Sequence, residues 1–261
     1  MMRTEQATLA GHGAAVTRPA SPKARPDAVV LLQGIARTRF SLGRMARGLA
    51  AAGLETYNLG GPSPRLRLEA QVERFRRDLE GLAREIRGDD GAPRRLHGVG
   101  HSLGGIVLRV ALAQAEGVIP GRLVAIGAPF LGLHVANVVA RYRAARLVLG
   151  PAIEDLVWQG PALRRLARVA QAGCDMPEVG IVLSRCGFQP LIPASWINAW
   201  LGIARNTDGT VEIESARGDD LWPPPADVVD VGFGHTFMAA QPEVVRQTAH
   251  FLSHGRFAPG P

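Results

Sequence analysis

Val99-Gly100-His101-Ser102-Leu103-Gly104-Gly105 is the stretch that decides the fold of this chain. It matches the pattern Gly-x-Ser-x-Gly. An apolar stretch from Arg95 to Val99 leads into it and a helix-like stretch from Ile106 to Glu116 follows, so the serine stands at a strand-to-helix turn. Gly100 and Gly104 remove the Cβ atoms that would collide in so tight a reversal, which leaves Ser102 on a strained backbone with its hydroxyl pointing out of the sheet. The helix behind it offers unpaired N–H groups and the positive end of a dipole, both suited to an oxyanion formed when a hydroxyl attacks a carbonyl. The plain structural reading is a small-residue strand–helix junction that happens to contain a serine. The placement of both flanks favours a nucleophile.

Outward from this turn the pattern repeats. Ala28 to Leu32 is a continuous apolar run with β-branched residues, as expected of a strand buried on both faces of a parallel sheet. Phe40, Leu42, Met45, Leu49 and Ala50 then recur at helical spacing, and Gly53 closes that helix before a second strand, Glu55 to Leu59. Pro62 and Pro64 mark a loop, and Leu66 to Ile86 reads as a long amphipathic helix ending at Gly88. Further strands are expected at Leu123 to Ile126, Val179 to Leu183 and Val228 to Val231, with a last helix from Pro242 to Phe251. Such alternation predicts an α/β fold, a mostly parallel central sheet with helices on both faces.

Between the strands at Leu123 and Val179 lie about fifty residues of helical character, more than one crossover needs. Residues from about 130 to 178 are therefore expected to form a small helical cap over the carboxyl edge of the sheet, where an open α/β sheet binds its ligand. A decorated crossover helix is the alternative. Residues 27–257 are expected to form a single domain, preceded by a flexible segment, 1–26, that holds Gly11, Gly13, Pro19, Pro22 and Pro26.

The 261-residue chain carries a formal charge of +7, and Lys23 is the one lysine among 30 basic residues. The arginines are spread singly among acidic residues, as between Arg65 and Arg87, which reads as a solvated face and not as a nucleic-acid surface. Cys174 and Cys186 flank the apolar run Val179 to Leu183; a single bridge between them would need both ends of that run to approach within about 7 Å, which an extended strand resists, so two free thiols are the expectation and a bridge the alternative. Residues 1–26 lack the apolar core of a secretory signal, and the uncharged run Leu123 to Ala140 is interrupted by Gly127, Pro129 and Gly132. The expectation is a cytoplasmic protein with no stable membrane anchor and no nucleic-acid partner.

A serine hydroxyl needs a base to take its proton, and the base needs an acid to fix its tautomer. In chains with this elbow the acid follows the serine and the histidine comes last. Of the seven histidines, His12 and His97 precede Ser102, His101 adjoins it and is expected to point elsewhere, and His134 falls before any suitable acid. His250 and His254 belong to the end of the last helix. His235 remains, in Gly232-Phe233-Gly234-His235-Thr236-Phe237, directly after the last strand. For the acid, Asp208 lies in the polar turn Arg205-Asn206-Thr207-Asp208-Gly209-Thr210-Val211, with Glu212 in reserve; a turn aspartate that only bonds its own backbone is the competing reading. The oxyanion donors are expected to be the N–H groups of Leu103 and of Ile35, the latter in the loop Gln33-Gly34-Ile35-Ala36-Arg37 whose turn Gly34 permits.

Leu31-Leu32-Gln33-Gly34-Ile35, the elbow, Gly127-Ala128-Pro129, Asn206-Thr207-Asp208-Gly209-Thr210-Val211 and Gly234-His235-Thr236-Phe237 together resemble the α/β-hydrolase superfamily. Within it the likeness is to bacterial esterase and lipase-like proteins, over most of residues 28 to 257. The resemblance implies a carboxylic-ester hydrolase with no cofactor or metal, acting on a small-molecule or lipid-like acyl ester. Ser102 would be the nucleophile, Asp208 the orienting acid and His235 the general base and then acid, with Gln33, Gly34, Gly100, His101 and Gly104 in support. An Asp-Gly pair followed by a β-branched residue often carries the acid in such relatives. Many lipase-like members have histidine before the oxyanion-loop glycine, where this chain has Gln33. The same acyl-enzyme could serve an acyltransferase or thioesterase, and a non-catalytic binding member of the fold is a further alternative.

Overall fold

Successive side chains of a strand point to opposite faces, and Ala28–Leu32 shows the result: Val30 and Leu32 join one apolar cluster, Val29 and Leu31 the other, and all five residues are buried. The computed structural model describes residues 15–17, 27–35, 39–63, 65–87, 91–143, 147, 149–172 and 175–259. They form a seven-stranded sheet of β1 (Ala15–Thr17), β2 (Ala28–Leu32), β3 (Glu55–Asn58), β4 (Arg95–His101), β5 (Ile119–Ile126), β6 (Glu178–Leu183) and β7 (Asp227–Asp230). The strand order is β1-β3-β2-β4-β5-β6-β7. Every neighbouring pair is parallel except β1 with β3.

Helices cover both faces. α1 (Gly43–Ala51) and the last helix, Pro242–His254, pack together on one side, where Met45, Leu49, Val244 and Phe251 are buried with Val29 and Leu31. α2 (Leu68–Glu85), α3 (Leu103–Gln114) and helix Pro161–Gln171 cover the other, burying Phe75, Leu79, Ile106, Leu163 and Leu166. Arg109 of α3 lies inside this layer, its guanidinium 4.9 Å from the Phe130 ring and 5.1 Å from the Trp222 ring. Its Nη2 donates to the Pro223 carbonyl at 2.6 Å, and burial lowers its pKa to about 10.

Two expectations change in detail. Within segment 1–26 the described residues 15–17 form β1, the reversed edge strand; the rest of that segment lies outside the described residues. The stretch expected to form the cap divides. Leu133, Val135, Val139, Leu149, Ile153 and Leu156 wall a cavity above the sheet, whereas helix Pro161–Gln171 turns Leu163, Leu166 and Ala170 into the core layer with α2 and α3. A second stretch beyond 178, helix Pro193–Trp200 with its N-terminal approach, completes the cavity wall.

The chain leaves β2 towards β3 on one side and returns to β4 on the other, so the carboxyl ends of β2 and β4 mark the point where strand order reverses. Open α/β sheets bind ligands at such a point. Gln33 and Gly34 follow β2 there, and Ser102 follows β4.

Candidate active site

Ser102 adopts φ 55°, ψ −129° between β4 and α3. Among the described residues only Ser102 and Gln159 are non-glycine residues with positive φ. Side chains disfavour this region by roughly 1–3 kcal/mol, so the surroundings must impose it. Here they do. The Ser102 N–H donates to the Ile126 carbonyl of β5 at 2.9 Å, and the Ser102 carbonyl accepts from Gly105 N–H at 2.9 Å. The glycines make room for the reversal: a Cβ on Gly100 would lie 2.5 Å from Gly105 Cα, and one on Gly104 would meet the Leu32 and Gln33 carbonyl oxygens. Gly34 faces the serine itself, since a Cβ there would lie 2.8 Å from Ser102 Cβ and 3.2 Å from Ser102 Oγ.

Asp208 and His235 meet across this edge. Asp208 is buried, and its Oδ1 accepts from the N–H groups of Thr210 at 3.0 Å and Val211 at 2.7 Å. Its Oδ2 stands 2.7 Å from His235 Nδ1, and its backbone carbonyl accepts the His235 N–H at 2.9 Å. An ionised carboxylate only accepts hydrogen bonds, so Nδ1 carries the ring proton and Nε2 is left as the basic nitrogen. Gly127, with φ 55°, lets the chain after β5 pass close to this pair: a Cβ there would lie 3.0 Å from Asp208 Oδ2 and 3.1 Å from His235 Nδ1.

Ser102 and His235 line one cavity of about 460 Å³. Gly34, Ile35, His101 and Leu103 stand beside them, and the remaining wall is largely apolar, including Leu133, Val139, Ile153, Leu156 and Ile197. Its size suits a small-molecule ligand. Leu103 opens α3, so its N–H belongs to the first turn, whose donors have no carbonyl partner within the helix.

No family model and no curated protein matches the sequence. Solved structures do match in shape. The lipase BlEst2 of Bacillus licheniformis in its propeptide form superposes with a TM-score of 0.74 at 16% identity, over 94% of this chain and 54% of that one, so the chain spans about half that protein's length. The mature form gives 0.68 at 15% identity, over 85% of this chain and 90% of that one. TT1662 from Thermus thermophilus gives 0.57 at 19% identity, over 97% and 98%.

The chain has the α/β-hydrolase fold.

On this α/β-hydrolase frame Ser102 follows β4, Asp208 lies in the turn after β6 and helix Pro193–Trp200, and His235 follows β7. Glu212, the reserve acid, is elsewhere. Its Oε1 accepts the His134 N–H at 3.2 Å and it lines a separate cavity with Trp158, so it has no part in the Asp208–His235 pair. Gln33 is buried with its Oε1 accepting from Ser41 Oγ at 3.1 Å, and a Cβ on Gly61 would lie 2.7 Å from its Nε2. It braces the loop after β2 from behind. Ala36 and Arg37 lie outside the described residues, as does Cys174; Cys186 is a free thiol.

Two contacts had no sequence signal. His101, expected to point elsewhere, donates from Nε2 to the His235 carbonyl at 3.0 Å, its ring 4.8 Å from the His235 ring. Helix Pro193–Trp200 reaches the cavity through Ile192, Pro193, Ala194 and Ile197.

Proposed function

We propose that this chain is a serine hydrolase that cleaves carboxylic esters through an acyl-enzyme on Ser102. The observation that carries the reading is the 2.7 Å contact of Asp208 Oδ2 with His235 Nδ1, beside a positive-φ serine on the same cavity. His235 Nε2 takes the Ser102 Oγ proton as Oγ adds to the ester carbonyl, and Asp208 stabilises the imidazolium that results. The N–H groups of Leu103 and Ile35 receive the oxyanion, helped by the N-terminal dipole of α3. The proton then passes to the leaving alkoxide, and water repeats the sequence to release the acid.

The apolar wall of the cavity supports an uncharged acyl chain as the group held against Ser102. The solved lipases that share the fold are consistent with this. One observation favours esters presented at a lipid surface: residues 187–204 carry no charged side chain, and Leu191 (92% exposed), Trp196 (59%) and Trp200 (78%) face outward from the segment that walls the cavity. Among the described residues no helix is long and apolar enough to cross a membrane.

Intact-mass measurement after treatment with a fluorophosphonate tests the reading. One adduct is expected on the wild type and none on Ser102→Ala or His235→Ala. Hydrolysis of p-nitrophenyl esters of graded chain length follows, and narrowing the cavity by Ile153→Phe should move the optimum to shorter chains. An unlabelled wild type that cleaves none of these esters defeats the proposal.

A further inference from the structure

Gly209 follows the acid and Gly234 precedes the base, and both owe their empty side-chain space to one residue. A Cβ on Gly209 would lie 2.5 Å from Gln189 Cγ and 3.2 Å from Gln189 Cβ. A Cβ on Gly234 would run into the Gln189 amide, with Cδ at 2.6 Å and Nε2 at 2.7 Å. Gly209 also has φ 97°, which favours glycine whatever the space. Gly234 has no such backbone need, and the nearest atoms that a Cβ there would meet all belong to the Gln189 amide.

The backbone of Gln189 is tied to the segment that walls the cavity. Its N–H donates to Ser195 Oγ at 2.7 Å and its carbonyl accepts the Ile192 N–H at 3.0 Å, while the side-chain Nε2 donates to Cys186 Sγ at 2.8 Å. Nearby, Gly187 N–H donates to the Thr207 carbonyl at 2.8 Å, one residue before the acid. Ile192, Pro193, Ala194 and Ile197 line the cavity. A single side chain therefore touches the backbone beside Asp208 and beside His235, from a segment that also shapes the binding space.

We propose that Gln189 is a positioning residue: it sets the spacing of the Asp208 and His235 loops and ties that spacing to the cavity wall at residues 192–197. The proposal rests on the reading of Ser102, Asp208 and His235 as the triad. Gln189 does not line the catalytic cavity, so its effect passes through the two loops. Proton transfer falls off steeply with misplacement, and a shift of about 1 Å can cost on the order of a hundredfold in rate.

The test is steady-state hydrolysis of a medium-chain p-nitrophenyl ester by the full chain, with the rate of fluorophosphonate labelling measured alongside. Gln189→Ala should lower kcat by about ten- to a hundredfold with KM within about twofold, and slow labelling in step. Gln189→Met, which refills the volume, should recover most of the loss. Gly234→Ala reads the same contact from the other side with Gln189 in place, so it decides the matter even if Gln189→Ala does not fold; a kcat loss of about tenfold is expected. Combining Gly234→Ala with Gln189→Ala should cost less than the product of the two losses, as touching residues do. Unchanged kcat in Gly234→Ala or in folded Gln189→Ala, or a loss confined to KM, overturns the proposal while leaving the triad standing. A wild type that neither labels at Ser102 nor hydrolyses ester defeats both.

Discussion

His101 holds His235: its Nε2–H donates to the His235 carbonyl at 3.0 Å, and the two rings stand 4.8 Å apart. The residue before the candidate nucleophile thereby fixes the backbone of the candidate base, 134 positions along the chain. His101→Phe keeps a ring and loses the donor, so kcat should fall about tenfold with little change in KM. His101→Gln, which can place an N–H near the same point, should lose less. Steady-state kinetics of the two variants decides it, and a larger loss in His101→Gln than in His101→Phe would show that the ring and not the hydrogen bond matters.

Asp208 accepts two backbone N–H groups on Oδ1 and His235 on Oδ2. Asp208→Asn preserves the shape but places an amide where only an acceptor fits, favouring the wrong tautomer of His235. Hydrolysis should fall by about 10³- to 10⁴-fold while the melting temperature changes little by comparison. Circular dichroism melts run beside the ester assay separate the two effects.

Gly34 leaves room for the serine, and Gly34→Ala would place a methyl group 2.8 Å from Ser102 Cβ. Crowding of this kind costs about 1–3 kcal/mol and displaces side chains. Fluorophosphonate labelling of Ser102 should slow by about a hundredfold, since the displaced atoms are those that react. Labelling at the wild-type rate would mean that the loop after β2 yields instead of the serine.

Burial pushes the Glu212 carboxyl above its ordinary value near 4.5, only partly offset by hydrogen bonds from its own N–H and that of His134. Its Oε2 has no partner among the described residues. Between the ordinary and the raised value the folded chain binds more protons than the unfolded one, so stability falls as pH rises through that window. The contribution is complete below about pH 4.5 and lost above the raised value. Glu212→Gln, which stays neutral, should match the wild type in acid and melt at a higher temperature at pH 7. A wild type that gains on the variant as pH rises contradicts this.

The elbow was legible because everything it needs is local: two glycines, a serine, a strand before and a helix after. The buried strands were legible too, since Ala28–Leu32 and Val179 to Leu183 are apolar without a break. β1 was not, because Ala15–Thr17 is three residues long and becomes a strand only by pairing with Thr56, Tyr57 and Asn58. β5 begins at Ile119, earlier than the apolar run at Leu123, because parallel pairing with Arg95 and Leu96 carries Pro120 along. Order and turn chemistry singled out Asp208 and His235, which the fold places 2.7 Å apart. The contacts that His101 and Gln189 make with their loops were not legible, because a contact between residues so distant in sequence leaves no periodicity to read.

The two outer strands bear on how these molecules behave when crowded together. An open sheet invites a neighbour's strand to add to its unpaired side, the first step towards edge-to-edge polymers. At one end β1 occupies the free side of β3 with three described residues, and so short an edge offers a neighbour little to pair with. At the other, β7 is bracketed by the carboxylates of Asp227 and Asp230. Deleting residues 15–17 would uncover Thr56, Tyr57 and Asn58 as a bare ledge of backbone donors and acceptors, and the protein would then be expected to clump on warming before it loses its core.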